Sequence, residues 1–184
     1  MKQIVAIDGN AGFSGWISQV INRFRSELDG DYRVVTVYSV QDMVDKVLIA
    51  AGGDQIFRLV IEGHGASGFQ AVGCGTPGNA LKNRSKPDYL EFSDLDGKLR
   101  NGVENSLKQL IPKLSKSAVV SLGGCQVAAE PFGPQLLKRM SHALGGIDVE
   151  AGFDNQRPLL PGYEGSVIRC SDDWCLVTPA SWTY

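Results

Sequence analysis

A histidine set between glycines and a cysteine backed by glycines are the residues of this chain best equipped for chemistry. Arg58-Leu59-Val60-Ile61-Glu62 is an apolar run that ends in Gly63-His64-Gly65, and Ala118-Val119-Val120-Ser121-Leu122 is another that ends in Gly123-Gly124-Cys125. If the two runs are neighbouring strands of a parallel sheet, His64 and Cys125 emerge together at its carboxyl edge, where ligands sit in open α/β folds. An imidazole beside a thiol favours the thiolate and makes it a nucleophile. Glycines leave room for close backbone approach and free the N–H groups of Gly65 and Cys125 to hold an oxyanion. Each residue also has a plain structural reading: a small buried thiol at a strand end for Cys125, and a satisfied imidazole for His64.

The elements that must position this pair follow from periodicity. Residues 3–7 read as a strand, and Gly9 to Gly15 as a glycine-rich turn. Trp16, Ile17, Val20, Ile21 and Phe24 predict a helix to about Leu28. Arg33 to Val37 is a β-branched strand, Val40 to Leu48 an amphipathic helix, and Ile56 to Ile61 the strand leading to His64. This β-α-β-α-β alternation predicts a mostly parallel sheet with right-handed crossovers. Residues 65–90 lose the rhythm and predict a long loop or a small hairpin excursion. Asn101 to Leu114 predicts one amphipathic helix before the Cys125 strand. Phe132 to Leu144 predicts another helix, Ile147 to Ala151 a short strand, and Val167–Cys170 with Trp174–Val177 a hairpin.

Composition bounds the alternatives. The chain has 184 residues, 43% hydrophobic and 21% charged, which suits a single globular domain over 1–184. A net charge of −2 gives no reason to expect a nucleic-acid partner. No apolar run approaches the roughly 20 residues that span a bilayer, and Met1 to Asp8 is too short for a signal peptide. A soluble, cytoplasmic protein is expected, with signal-independent export left open. Neither the two histidines nor the four cysteines have metal-ligand spacing. Cys170 and Cys175 could face each other across a hairpin, and would stay thiols in a reducing cytosol. His142 reads as a surface or packing residue, and Cys74 as a loop thiol.

The order strand-His64-Gly65, then strand-Gly124-Cys125, resembles the caspase-like (clan CD) cysteine peptidases. His64-Gly65-Ala66-Ser67-Gly68-Phe69-Gln70-Ala71-Val72-Gly73 and Gly124-Cys125-Gln126-Val127-Ala128-Ala129 are most similar to bacterial caspase-like domains of large surface proteins. The resemblance covers residues 56 to about 151. It implies a three-layer α/β/α sandwich, Cys125 as nucleophile, His64 as general acid/base, and Gly65 and Cys125 amides as the oxyanion hole. It also implies hydrolysis of a peptide or protein substrate with no cofactor. Leu122-Gly123-Gly124-Cys125-Gln126 departs from the caspase pentapeptide, so aspartate preference is not implied. In this fold the loops after the first strand and after the cysteine strand build the specificity pocket. Asp8 and Asp154 stand in those loops and would favour Lys or Arg, unless both are ordinary turn formers.

Two other readings stand beside this one. A catalytically silent caspase-like domain would keep the scaffold as an interaction module. A flavodoxin-like nucleotide or flavin binder would use the Gly9–Gly15 turn to cradle phosphate at a helix amino end, although that turn lacks a Walker lysine and a G-x-G start. No G-x-S-x-G elbow occurs to support a serine hydrolase.

Overall fold

The computed structural model describes residues 1–12, 32–82, 85–93, 97–156, 163 and 165–179. The fold is α/β. Among the described residues, seven strands form the main sheet in the order β11-β10-β9-β8-β3-β1-β2. Its parallel part comprises β1 (Lys2–Asp8), β2 (Tyr32–Val37), β3 (Ile56–Glu62), β8 (Leu114–Leu122) and β9 (Asp148–Gly152). β10 (Val167–Ser171) and β11 (Trp174–Thr178) finish the sheet as an antiparallel hairpin. Ile4, Val5, Ala6 and Ile7 of β1 are all fully buried. Burial on both faces is what an unbroken apolar central strand requires.

Helix α1 (Val40–Ala51) starts at Ser39, whose side chain accepts the Asp42 N–H at 3.1 Å, and stops at Gly52, where φ is 58°. With α3 (Glu104–Lys108) and α4 (Gly133–Ala143) it covers one face of the sheet. Met43, Val44, Leu107, Leu136 and Met140 pack there on Ile4, Leu59, Ile61, Val120 and Leu122. Val5, Ile7 and Val60 face the other way, against Tyr32 and Val34. The helix predicted over Trp16–Leu28, and with it the third layer of the sandwich, lies outside the described residues.

One expectation is resolved and one changes. Of the two alternatives for residues 65–90 the hairpin is the one formed, and it is part of more: β4 (Gly65–Ala66), β5 (Phe69–Ala71), β6 (Tyr89–Ser93) and β7 (Lys98–Leu99) form a second, smaller sheet, with α2 (Pro77–Lys82) between β5 and β6. Strands of two to five residues are too short to show a period in sequence. The single helix predicted over Asn101–Leu114 is broken into a short 3-10 turn, α3 and a second 3-10 turn at Ile111–Lys113. Asn101 and Gly102 take positive φ, and Pro112 removes a donor, so the apolar residues keep their inward face while the helix does not continue.

On the face of Val60 the sheet carries a buried ionic row. Arg58 donates to Glu150 at 2.6 Å and to Ser121 at 3.1 Å, and Arg169 donates to the same Glu150 carboxylate. Glu150 is only 3% exposed. Cys170 and Cys175 stand directly opposite each other across the β10–β11 hairpin, as expected, and the pairing that the sequence left open is a disulfide. No helix among the described residues is long and apolar enough to cross a membrane.

Candidate active site

β3 and β8 are adjacent and in step to their ends: Ile61 pairs with Leu122, and the Gly123 N–H donates to the Ile61 carbonyl at 2.9 Å. The loops carrying His64 and Cys125 therefore leave the same sheet edge side by side. They touch through backbone. A methyl group on Gly65 would lie 2.6 Å from the Cys125 carbonyl oxygen and 2.7 Å from the Gly124 carbonyl carbon. A methyl group on Gly124 would lie 2.9 Å from the Gly65 nitrogen. Side chains at either position would push the two loops apart, so this contact explains Gly65 and Gly124.

Past the histidine the chain turns back as the β4–β5 hairpin, with Ala66 opposite Phe69 and Gly65 opposite Gln70. The Ala71 N–H donates to the His64 carbonyl at 2.8 Å, so His64/Ala71 is a hydrogen-bonded pair and Gly65/Gln70 is not. Alternation therefore turns the Gly65 N–H away from its own hairpin, beside the Cys125 loop. The hairpin is bolted to the segment after the cysteine: Gly68 N–H donates to the Val127 carbonyl at 3.1 Å and Ser67 Oγ to the Ala129 carbonyl at 2.7 Å.

Gln70 completes the arrangement, and sequence reasoning missed it as a site residue. It is fully buried; its Oε1 accepts the Gly124 N–H at 2.9 Å and its Nε2 donates to the Ala71 carbonyl at 2.9 Å. One side chain, braced on its own strand, thus fixes the backbone of the cysteine loop against β5. The signal for it was a glutamine in an otherwise apolar β stretch, which is costly to bury without defined partners.

Cys125 is partly exposed and carries a free thiol. The Gln156 N–H donates to its Sγ at 3.3 Å, while the Gln156 carbonyl lies 3.5 Å from the sulfur and can accept the S–H. Among the described residues, no acceptor takes the Cys125 N–H. The stretch 152–156 clasps the cysteine loop further. Gly152 and Asp154 carbonyls accept the N–H groups of Ala128 at 3.1 Å and Gln126 at 2.9 Å. Gln126 itself takes φ of 55°.

The two aspartates hold different positions. Asp8 ends β1 and lies near His64, with its Cβ 3.2 Å from where a methyl group on Gly63 would stand. It is 1% exposed, and its two oxygens accept the N–H groups of Asn10 at 2.8 Å and Gly75 at 2.9 Å. Burial is the larger influence and pushes its carboxyl up, against the Asn10 and Gly75 donors and the nearby His64 charge. Asp154 is exposed, and its main-chain carbonyl is what engages the cysteine loop. No hydrogen bond or ion pair joins the two aspartates among the described residues.

Cys74 sits close to Asp8 but is buried, and desolvation followed by the charges of Asp8 and Asp88 pushes its thiol up to about 12. A buried thiol so hard to ionise is expected to react slowly. His142 is exposed on α4.

Glu62, the last residue of β3, has its carboxylate against the α-carbon of Gly123. Desolvation pushes this half-buried acid from its ordinary 4.5 up to about 7. A carboxyl harder to ionise in the folded chain leaves stability intact below about 4.5 and lowers it as pH rises through about 7. Thermal unfolding followed across pH 4 to 8 is expected to show this fall, and Glu62→Gln to flatten it. An unchanged profile in the variant would show that Glu62 ionises freely.

No protein-family model matches the chain, and neither does any curated protein. Among solved structures, the chain is similar to part of one in the crystal structure of the Saccharomyces cerevisiae separase-securin complex at 3.0 Å resolution. The identity is 18% and the TM-score 0.37, over 84% of this chain and 8% of that one. This chain therefore spans less than a tenth of that protein, and a likeness so distant says nothing about its chemistry.

Proposed function

We propose that the chain is a thiol-dependent hydrolase of peptide or related amide bonds, with a caspase-like arrangement. Cys125 Sγ attacks the carbonyl carbon. The N–H groups of Gly65 and Cys125 hold the oxyanion, and His64 passes a proton to the leaving amine as the C–N bond breaks. Water then cleaves the thioester, releasing the acid and restoring the thiol. Of the two aspartates, exposed Asp154 is the one that in this reading belongs to the pocket for the residue before the scissile bond, where a basic side chain would suit it, while buried Asp8 is committed to the Asn10 and Gly75 N–H groups.

The observation that carries the proposal is the backbone contact of Gly65 with Gly124 and Cys125. A scaffold that merely needed two loop ends has no use for glycine on both sides of the contact. The Gln156 N–H directed at Sγ adds a donor that stabilises a thiolate.

The test is limited alkylation with iodoacetamide at pH 6 to 7, mapped by mass spectrometry. Cys125 is expected to react ahead of buried Cys74 and at least tenfold faster in wild type than in His64→Ala. Equal rates with and without His64 would leave a silent scaffold.

A further inference from the structure

On the small sheet that follows His64 lies a cavity that the described site does not use. Carried on through the His64/Ala71 pair, the hairpin register places His64, Ala66, Phe69, Ala71, Tyr89 and Glu91 on one face. Gln70 and Leu90 take the other face, toward the main core. The cavity is ≈ 150 Å³. Its floor is Phe69 and Tyr89, stacked with centroids 5.3 Å apart. Ala66 and Ser67 of the hairpin form one wall, and Pro77 and Ala80 of α2 the other.

The polar groups of these walls are engaged elsewhere. Ser67 donates to the Ala129 carbonyl at 2.7 Å, and Glu91 is 2.7 Å from Arg100 Nε. What remains is apolar and large enough for a branched or aromatic side chain, since an apolar cavity of about 150 Å³ holds benzene.

We propose that this cavity is a specificity subsite for the leaving side of the substrate, taking an apolar side chain of leucine or phenylalanine size. The inference rests on the dyad reading above. In that reading the leaving amine takes its proton from His64, so the residue carrying the amine emerges at the imidazole. Ala66 lies two strand positions further along the same face, about 7 Å away. A side chain on the leaving fragment reaches the cavity across that distance. Glycine or a carboxylate there gains nothing from an apolar floor.

The probe is leucinamide, which reproduces the first residue of a leaving fragment and needs no turnover. Alanine methyl NMR of the whole chain, titrated with leucinamide, phenylalaninamide, glycinamide and glutamic acid amide, reads the site directly. Saturable shifts of the Ala66 and Ala80 methyls are expected with the first two, at about 10- to 100-fold lower concentration than with glycinamide. Ala80→Leu fills the cavity from α2 and should remove the difference. Its remaining methyl spectrum reports whether it folds, and the wild-type series decides the matter if it does not.

Equal affinity for leucinamide and glycinamide, or shifts confined to methyls elsewhere, would overturn the subsite. Alkylation of wild-type Cys125 does not involve the cavity, and leucinamide binding does not involve the thiol. A failed dyad and a failed subsite would therefore be told apart.

Discussion

Gly65→Ala is expected to lower hydrolysis of any peptide amide that the wild type turns over by about 100- to 1,000-fold. That is the usual cost of losing one oxyanion-hole donor. The added methyl meets the Cys125 carbonyl and the Val127 side chain, each 2.6 Å away, and the Gly124 carbonyl carbon at 2.7 Å. Two of these three atoms are backbone, so neither can rotate aside. Relief comes only by moving the cysteine loop away from the histidine loop, and a displacement near 1 Å costs about 100-fold in a positioned reaction. Gly53→Ala supplies the control, because nothing lies within 4 Å of the methyl it would add. It should match wild type in turnover. If Gly65→Ala keeps full turnover with an unchanged melting temperature, the Gly65 amide is not part of the machinery and the loop contact is only packing.

Glu150→Ala is expected to cost about 3–5 kcal/mol of folding stability, the range for removing one partner of a buried ion pair. Arg58 keeps only 14% of its side chain exposed, and Glu150→Ala removes its 2.6 Å carboxylate partner while Ser121 Oγ, at 3.1 Å, offers only a neutral acceptor. Arg169, 38% exposed at its side chain, can turn to water instead. Arg169→Ala should therefore cost distinctly less than Glu150→Ala, about 1 kcal/mol or below as for exposed pairs. Urea unfolding of both variants checks the order. Equal losses would mean that Glu150 is held by Arg169 and that Arg58 is solvated.

The two effects meet in the geometry of one sheet. Arg58, Glu62 and the His64 loop share β3, while Ser121 and the Cys125 loop share β8. The ionic row links β3 to β8 and β9 just below the edge, and Gln70 links β5 to the cysteine loop just above it. Glu150→Ala is thus a stability change close to the site, and turnover should be compared only at temperatures where the variant remains folded.

Local periodicity by itself determined most of the main sheet. Apolar runs buried on both faces announced β1, β3 and β8, and the amphipathic spacing of Val40, Met43, Val44 and Val47 announced α1. The motifs Gly63-His64-Gly65 and Gly123-Gly124-Cys125 were legible because chemistry and punctuation coincide in a few neighbouring residues. What the sequence did not disclose was decided between distant segments. The small sheet of β4 to β7 consists of strands too short for a period, and it exists because Gly68, Ser67 and Gln70 find partners 54 to 62 residues away. The Asn101–Leu114 helix kept its apolar pattern and lost its continuity to positive-φ residues and a proline. Gln156 as a donor to Cys125, and Asp8 as a buried acceptor for Gly75, depend on loops that meet only after the chain has closed. A side chain's neighbours along the chain set its secondary structure, but its polar partners are set by the fold. For that reason Cys125 could be singled out from the sequence as a candidate, and the groups that hold its loop could not.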